Sequence, residues 1–183
     1  MRIVNFTKVC LLCLLTLGSA RAAEPLVNEA IINAPVDEVW RLMTTGAGLE
    51  SWMAAHADVD LRVGGLMRTR YEREGTLGDD RTIVNRILAF EPQRMLAIRV
   101  DRPPADFRWP QAVASMWTVI YFQPLEPGMT NVRIVGLGFD DSVESRAMRE
   151  FFAKGNGATL EQLQKRFWPL CARCEREREA AGR

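Results

Sequence analysis

From Ser142 to Glu179 the chain carries a single proline, Pro169, and its large apolar residues recur at helical spacing. Phe152, Thr159, Leu163, Phe167 and Leu170 fall on or near one stripe, widened by Ala147, Phe151 and Ala158. Arg149, Glu150, Lys154, Glu161, Gln164 and Lys165 face mostly away. Apolar positions three and four apart predict a helix lying on another layer. Asp141 and Ser142 offer capping oxygens before it, and Glu144 suits its positive end. Gly155, Asn156 and Gly157 fall in its middle, and each glycine costs about 1 kcal/mol of helix propensity against alanine. Two readings follow. Either two helices are joined by a Gly-Asn-Gly turn, or one long helix passes something bulky and the glycines admit its close approach. The rest of the chain favours the second, with residues 155–157 on the wall of an apolar cavity.

The opening of the chain is of another kind. Arg2 and Lys8 precede an apolar run from Val9 to Leu17, and small residues lead to Ala20-Arg21-Ala22. This is the layout of a secretory signal peptide over 1–22, and the run is too short to span a bilayer stably. The expected product is a domain over 23–170 with a charged tail over 171–183, exported to the periplasm or secreted, with no stable membrane span. The full chain has a net charge of +1. Loss of Arg2, Lys8 and Arg21, with no acid, leaves 21 basic and 23 acidic residues. Intermixed charge of that balance argues against a nucleic-acid partner. Cys10 and Cys13 leave with the signal, so Cys171 and Cys174 remain. They form a local disulfide, or stay unpaired or pair between molecules; no second cysteine pair completes a four-thiolate zinc site.

Between these ends the chain is strand-rich. A strand over 26–34 leads to Pro35, which opens a helix with Val36, Val39, Trp40 and Met43 on its apolar side. A break over 44–48 and a second short helix over 49–53 follow. Strands are then expected over 57–61, 66–73, 82–90, 94–100, 116–122 (closed by Pro124) and 131–137, joined by turns at Gly64-Gly65, Gly75–Asp80 and Pro127-Gly128. Short turns between successive strands make an antiparallel meander. The link over 101–114 is longer, with Pro103, Pro104 and Pro110 around Phe107 and Trp109. It is either a surface excursion whose aromatics pack on the body or a flap over a pocket mouth. A sheet with one apolar face must be covered, and only the last helix is long enough.

The order of these pieces resembles the START-like superfamily, also called SRPBCC or helix-grip. It is most similar to the branch related to the C-terminal domain of the activator of the heat-shock-protein ATPase. The resemblance runs over about 26–168. It is carried by Ile32-Asn33-Ala34-Pro35 with Val39-Trp40, Leu49-Glu50-Ser51-Trp52, Val63-Gly64-Gly65, Ala89-Phe90-Glu91-Pro92, Arg94-Met95-Leu96, Trp117-Thr118-Val119, and Phe151-Phe152 with Gly155-Asn156 and Leu160. It implies an α+β helix-grip fold: a curved antiparallel sheet wrapped around a long C-terminal helix, with two short helices after the first strand. It also implies a cavity that binds apolar or aromatic small molecules, which some relatives convert by cyclisation or dehydration. A cleavable signal departs from the co-chaperone relatives, as do Gly157 and the Cys171/Cys174 tail.

The expected ligand-binding residues are Trp52, Met67, Tyr71, Asn85, Phe107, Trp109, Trp117, Tyr121, Phe152 and Asn156. Asn85 sits between Ile83 and Ile87, a polar group on an apolar wall that needs a partner. Trp117, Val119 and Tyr121 share a face, as core or as the aromatic side of a pocket. Arg68 and Arg70 alternate with Met67, Thr69 and Tyr71. The favoured register turns Met67 and Tyr71 inward and leaves the arginines solvated; the opposite one makes a buried cation able to fix a carboxylate. His56 is the sole histidine, and no metal-binding cluster, phosphate loop or dinucleotide motif is present, so no cofactor is expected. Binding of an apolar or aromatic small molecule by a monomer or weak dimer is the leading function. A cyclase, dehydratase or hydrolase in the same cavity and a chaperone-like interaction module are the alternatives.

Overall fold

The computed structural model describes residues 24–125 and 128–167. The signal segment, the cysteines at 171 and 174, Leu170 and Pro127 lie outside the described residues. Within them the order is β1 (Leu26–Ile32), α1 (Val36–Thr44), α2 (Gly46–Glu50), β2 (His56–Val59), β3 (Leu66–Arg70), β4 (Ile83–Glu91), β5 (Met95–Arg102), α3 (Pro110–Val113), β6 (Trp117–Leu125), β7 (Met129–Leu137) and α4 (Val143–Arg166). The seven strands form one antiparallel sheet in the order β1-β7-β6-β5-β4-β3-β2. The meander from β2 to β7 returns by short turns except over 71–82 and 103–116, and β1 closes beside β7. The sheet, the long terminal helix and the two short helices after β1 are those of a helix-grip fold.

α4 is one continuous helix of 24 residues. The Ser142 hydroxyl accepts the Ser145 N–H at 3.1 Å, Glu144 lies in the first turn, and Lys165 and Arg166 lie in the last, so both ends of the helix dipole are matched. Its buried face is Ser145, Met148, Leu160 and Leu163, continued by Phe167. Leu160 and Met148 thus take the buried places, while Thr159 and Phe152 of the expected stripe are half-buried at its margin. The glycines do not serve a close approach. A side-chain carbon at Gly155 meets nothing within 4 Å, and at Gly157 only Asn28 Nδ2, at 3.9 Å. Of residues 155–157, Asn156 alone reaches the cavity described below.

Two boundaries differ from expectation for steric reasons. The Thr44–Gly48 break is largely the helix α2 itself: Thr45 caps it, its hydroxyl accepting the Gly48 N–H at 3.0 Å. Gly48 is required there because a Cβ would press on Thr45 Oγ1 at 2.6 Å and Leu42 Cα at 2.8 Å, where α2 folds back on α1. β6 runs through Pro124. β5 begins at Met95 opposite Tyr121, so the end of β6 is an edge where a missing N–H costs no ladder bond.

The concave face carries the main core. Ile32, Val39, Leu42, Leu49, Ile87 and Leu96 are essentially fully buried there, joined by Val132 and Leu163. Each such side chain contributes about 1.5–3 kcal/mol of hydrophobic stabilisation. Trp40 meets Phe122 edge-on, ring centroids 5.2 Å apart. This packing fills the space beneath α1 and the C-terminal half of α4.

Candidate functional site: a cavity between sheet and helix

Beside that filled region a cavity of about 210 Å³ remains. Its floor is the inward set of five strands: Met67 and Thr69 from β3, Ile83 and Asn85 from β4, Ile98 and Val100 from β5, Thr118 and Ile120 from β6, Ile134 from β7. Phe152, Asn156 and Thr159 of α4 form its roof, and Met43, Leu49 and Met53 close one end. The ladder explains this set, because Met67 pairs with Asn85 and Ile98 with Thr118, so all four share the concave face.

Among the described residues no charged side chain lines the cavity. Its polar groups are neutral, and several lack partners among the described residues. The Asn85 amide and the Tyr71 hydroxyl form no hydrogen bond there, and Asn156 Nδ2 is sealed from solvent without an acceptor. Nearby, Asn28 donates through Nδ2 to the Ala153 carbonyl at 3.1 Å, while its Oδ1 is buried and unpaired.

The structure brings Met67, Tyr71, Asn85, Trp117, Phe152 and Asn156 together around this space. It places four expected residues elsewhere. Trp52 is buried in the main core, its indole N–H donating to the Leu42 carbonyl at 3.2 Å. Phe107 and Trp109 stack with Phe151 and Phe152, with centroids 5.5–6.3 Å apart, on the far side of the Phe152 ring. The link 103–109 is therefore a packed excursion, not a flap. Tyr121 lies on the convex face opposite Arg133. Trp117 also starts on that convex set and reaches only the cavity margin. The inward residues of β6 are the alternate ones, Thr118, Ile120 and Phe122, and Met116 just before the strand also lines the cavity. Thr69, Thr118, Ile98 and Ile134 were not anticipated as lining residues; the pairings of Thr69 with Ile83, Ile98 with Thr118 and Ile120 with Ile134 place them on the inward face.

The favoured register of β3 holds, with Met67 and Thr69 inward, but Arg70 is not solvated: only 4 % of it is exposed. The β3–β4 loop folds over it on the other face. Its Nε donates to Asp79 Oδ2 at 2.9 Å, its Nη2 to the Glu74 carbonyl at 3.1 Å, and its Nη1 is ion-paired with Glu72. The Arg70 hydrogen bond holds the Asp79 carboxyl down at about 2, helped by Thr82 and the Arg81 N–H. Arg68 pairs with Asp58 at 2.8 Å near the surface, as expected of a solvated arginine. His56 lies away from the cavity, its Nε2 3.1 Å from the Arg73 carbonyl. Among the described residues no three potential metal ligands cluster, and no helix is long and apolar enough to cross a membrane.

A curved sheet gripping a long helix over an apolar cavity defines a START-like, SRPBCC domain. The model of the Activator of Hsp90 ATPase homolog 1-like protein family matches residues 33–167, and the chain belongs to that family. Among solved structures it is similar to protein MLL2253 of Mesorhizobium loti (21% identity, 78% of this chain and 95% of that one, TM-score 0.60). It is also similar to protein NE0264 of Nitrosomonas europaea (23%, 81% and 96%, TM-score 0.58). A third likeness is to the Aha1 dimer of Colwellia psychrerythraea (13%, 78% and 97%, TM-score 0.55). At these identities the likenesses show the fold. No curated protein matches the chain by sequence.

Proposed function

We propose that the protein binds a small, largely apolar molecule in the cavity beneath α4, oriented by a neutral hydrogen-bonding group. One observation carries the reading: an apolar space whose wall holds the Asn85 amide and the Tyr71 hydroxyl without partners among the described residues. A ligand that supplies a partner to one of these neutral groups gains about 0.5–1.5 kcal/mol there. Size narrows the class. At about 210 Å³ the cavity exceeds the roughly 150 Å³ that accepts benzene and falls short of the roughly 300–1,000 Å³ of drug-sized pockets. One or two rings fit. Calorimetric titration with indole tests this: saturable binding is expected, and Thr118→Trp, which fills the cavity from β6, weakens it at least about tenfold with the far-ultraviolet circular dichroism unchanged. No saturable binding to the wild type would remove the reading.

The same proposal places the protein outside the cytoplasm, on the strength of the charged, apolar and small-residue succession over 1–22. N-terminal sequencing of protein from its native host should begin at Ala23. An intact Met1 in a cytoplasmic fraction would overturn it.

A further inference from the structure

The inner cavity and a second hollow share two side chains. A surface cleft of about 600 Å³ opens beside α2 and the start of β2, lined by Glu50, Met53, His56, Tyr71 and Arg73 among others. Met53 and Tyr71 also line the cavity, so they stand as the partition between the two spaces. Both suit a partition that moves. Methionine turns about three bonds. Tyr71 directly follows the end of β3 and leaves 52 % of its surface exposed, so turning its ring disturbs little packing.

The chemistry changes across that partition. The cavity holds only neutral groups, whereas the cleft carries Glu50, His56 and Arg73. Glu50 is engaged, its Oε1 accepting the Ala57 N–H at 2.9 Å. The His56 Nε2–H donates to the Arg73 carbonyl, which leaves Nδ1 of the neutral ring an acceptor. The Arg73 guanidinium has no ion pair or hydrogen bond among the described residues, while Arg68, Arg70, Arg81 and Arg86 are each paired with an acid.

We propose that the ligand is an amphipathic monocarboxylic acid: its apolar body passes Tyr71 and Met53 into the cavity, a neutral oxygen on that body meets Asn85, and its carboxylate stays in the cleft beside Arg73. This rests on the small-molecule reading above and adds the head group, the orientation and the route. Desolvation sets the orientation. Inside, a carboxylate would lose water and face no cation; in the cleft it stays hydrated and meets a guanidinium whose fork matches its two oxygens.

Three probes separate the elements: para-hydroxyphenylpropanoate and its amide, which share one body, and indole, which has no head group. Calorimetry at low salt should show the acid binding about fivefold tighter than the amide, a gap that narrows as salt is raised. Arg73→Gln should bring the acid to the amide's affinity, and Arg99→Gln, which removes an exposed charge on β5, should leave the preference intact. Equal binding of acid and amide, or a preference indifferent to Arg73→Gln, overturns this proposal while indole binding still upholds the cavity. Failure of all three probes overturns both. Tyr71→Ala should speed association of the acid in stopped-flow mixing, and an unchanged rate would refute the route past Tyr71.

Discussion

Arg70 and Asn85 sit on neighbouring strands, both drawn out of bulk water, and they meet that situation in opposite ways. Arg70 lies on the convex side of β3 and is wrapped by its own loop, with Asp79, Glu72 and the Glu74 carbonyl on its guanidinium. Asn85 faces the concave side from β4 and has no partner among the described residues. A polar group held by several partners within the chain is part of the fold. One left open in a cavity wall costs stability and is useful only to something that enters. The pair therefore separates a structural role from a binding role within two adjacent strands.

Removing Arg70 should have the largest effect. Arg70→Ala strands Asp79 and Glu72 against a loop that no longer has its anchor, and breaking a buried pair costs about 3–5 kcal/mol. Partial exposure of Glu72 and Asp79 sets the expectation at the low end, about 3 kcal/mol by urea unfolding. A loss under about 1 kcal/mol would show that the loop is held by something else.

Acid should reveal the same lock. The Asp79 carboxyl is held at about 2, below its usual 3.8, chiefly by the hydrogen bond from Arg70. Because its folded value is lowered, the stability it confers is full above the unfolded value and drains as pH falls from about 4 to about 2. Asp79→Asn should be less stable near neutrality and show a flatter stability profile over that interval. A profile parallel to wild type would disconnect this carboxylate from folding.

The contrast between the two residues was only half legible in the sequence. Alternation along β3 correctly set Met67 apart from Arg68 and Arg70, but it treats the two arginines alike. What distinguishes them is the loop over 72–82, where Gly75 adopts φ +128° and a Cβ would lie 2.7 Å from Arg70 Nη2. Such wrapping is a tertiary event without a periodic signature. On β6 both alternate sets are apolar, Trp117, Val119 and Tyr121 against Thr118, Ile120 and Phe122, so only strand pairing selects the inward one. The long helix was legible from its spacing and cap. Its glycines were read through a steric reason that the open space at Gly155 does not bear out. Asn85 stood out because a lone amide between isoleucines conflicts with its surroundings, and such conflicts are where a site is expected.

The smallest change in stability, and the sharpest test of the comparison, belongs to Asn85→Leu. If Asn85 resembled Arg70 in having a hidden partner, its loss would orphan that partner and cost about 1–3 kcal/mol. With no partner in the chain, the substitution removes one unpaired amide and adds apolar surface of similar volume. Unfolding stability without ligand should then move by less than about 1 kcal/mol, toward higher values. Binding should respond differently. Affinity for para-hydroxyphenylpropanoate should fall about fivefold, as expected for one neutral hydrogen bond, while phenylpropanoate, which lacks the hydroxyl, should bind wild type and variant alike. Equal losses for both ligands would mean that leucine merely blocks the space. A large loss of stability would make Asn85 a second structural lock, and the distinction between the two strands would collapse.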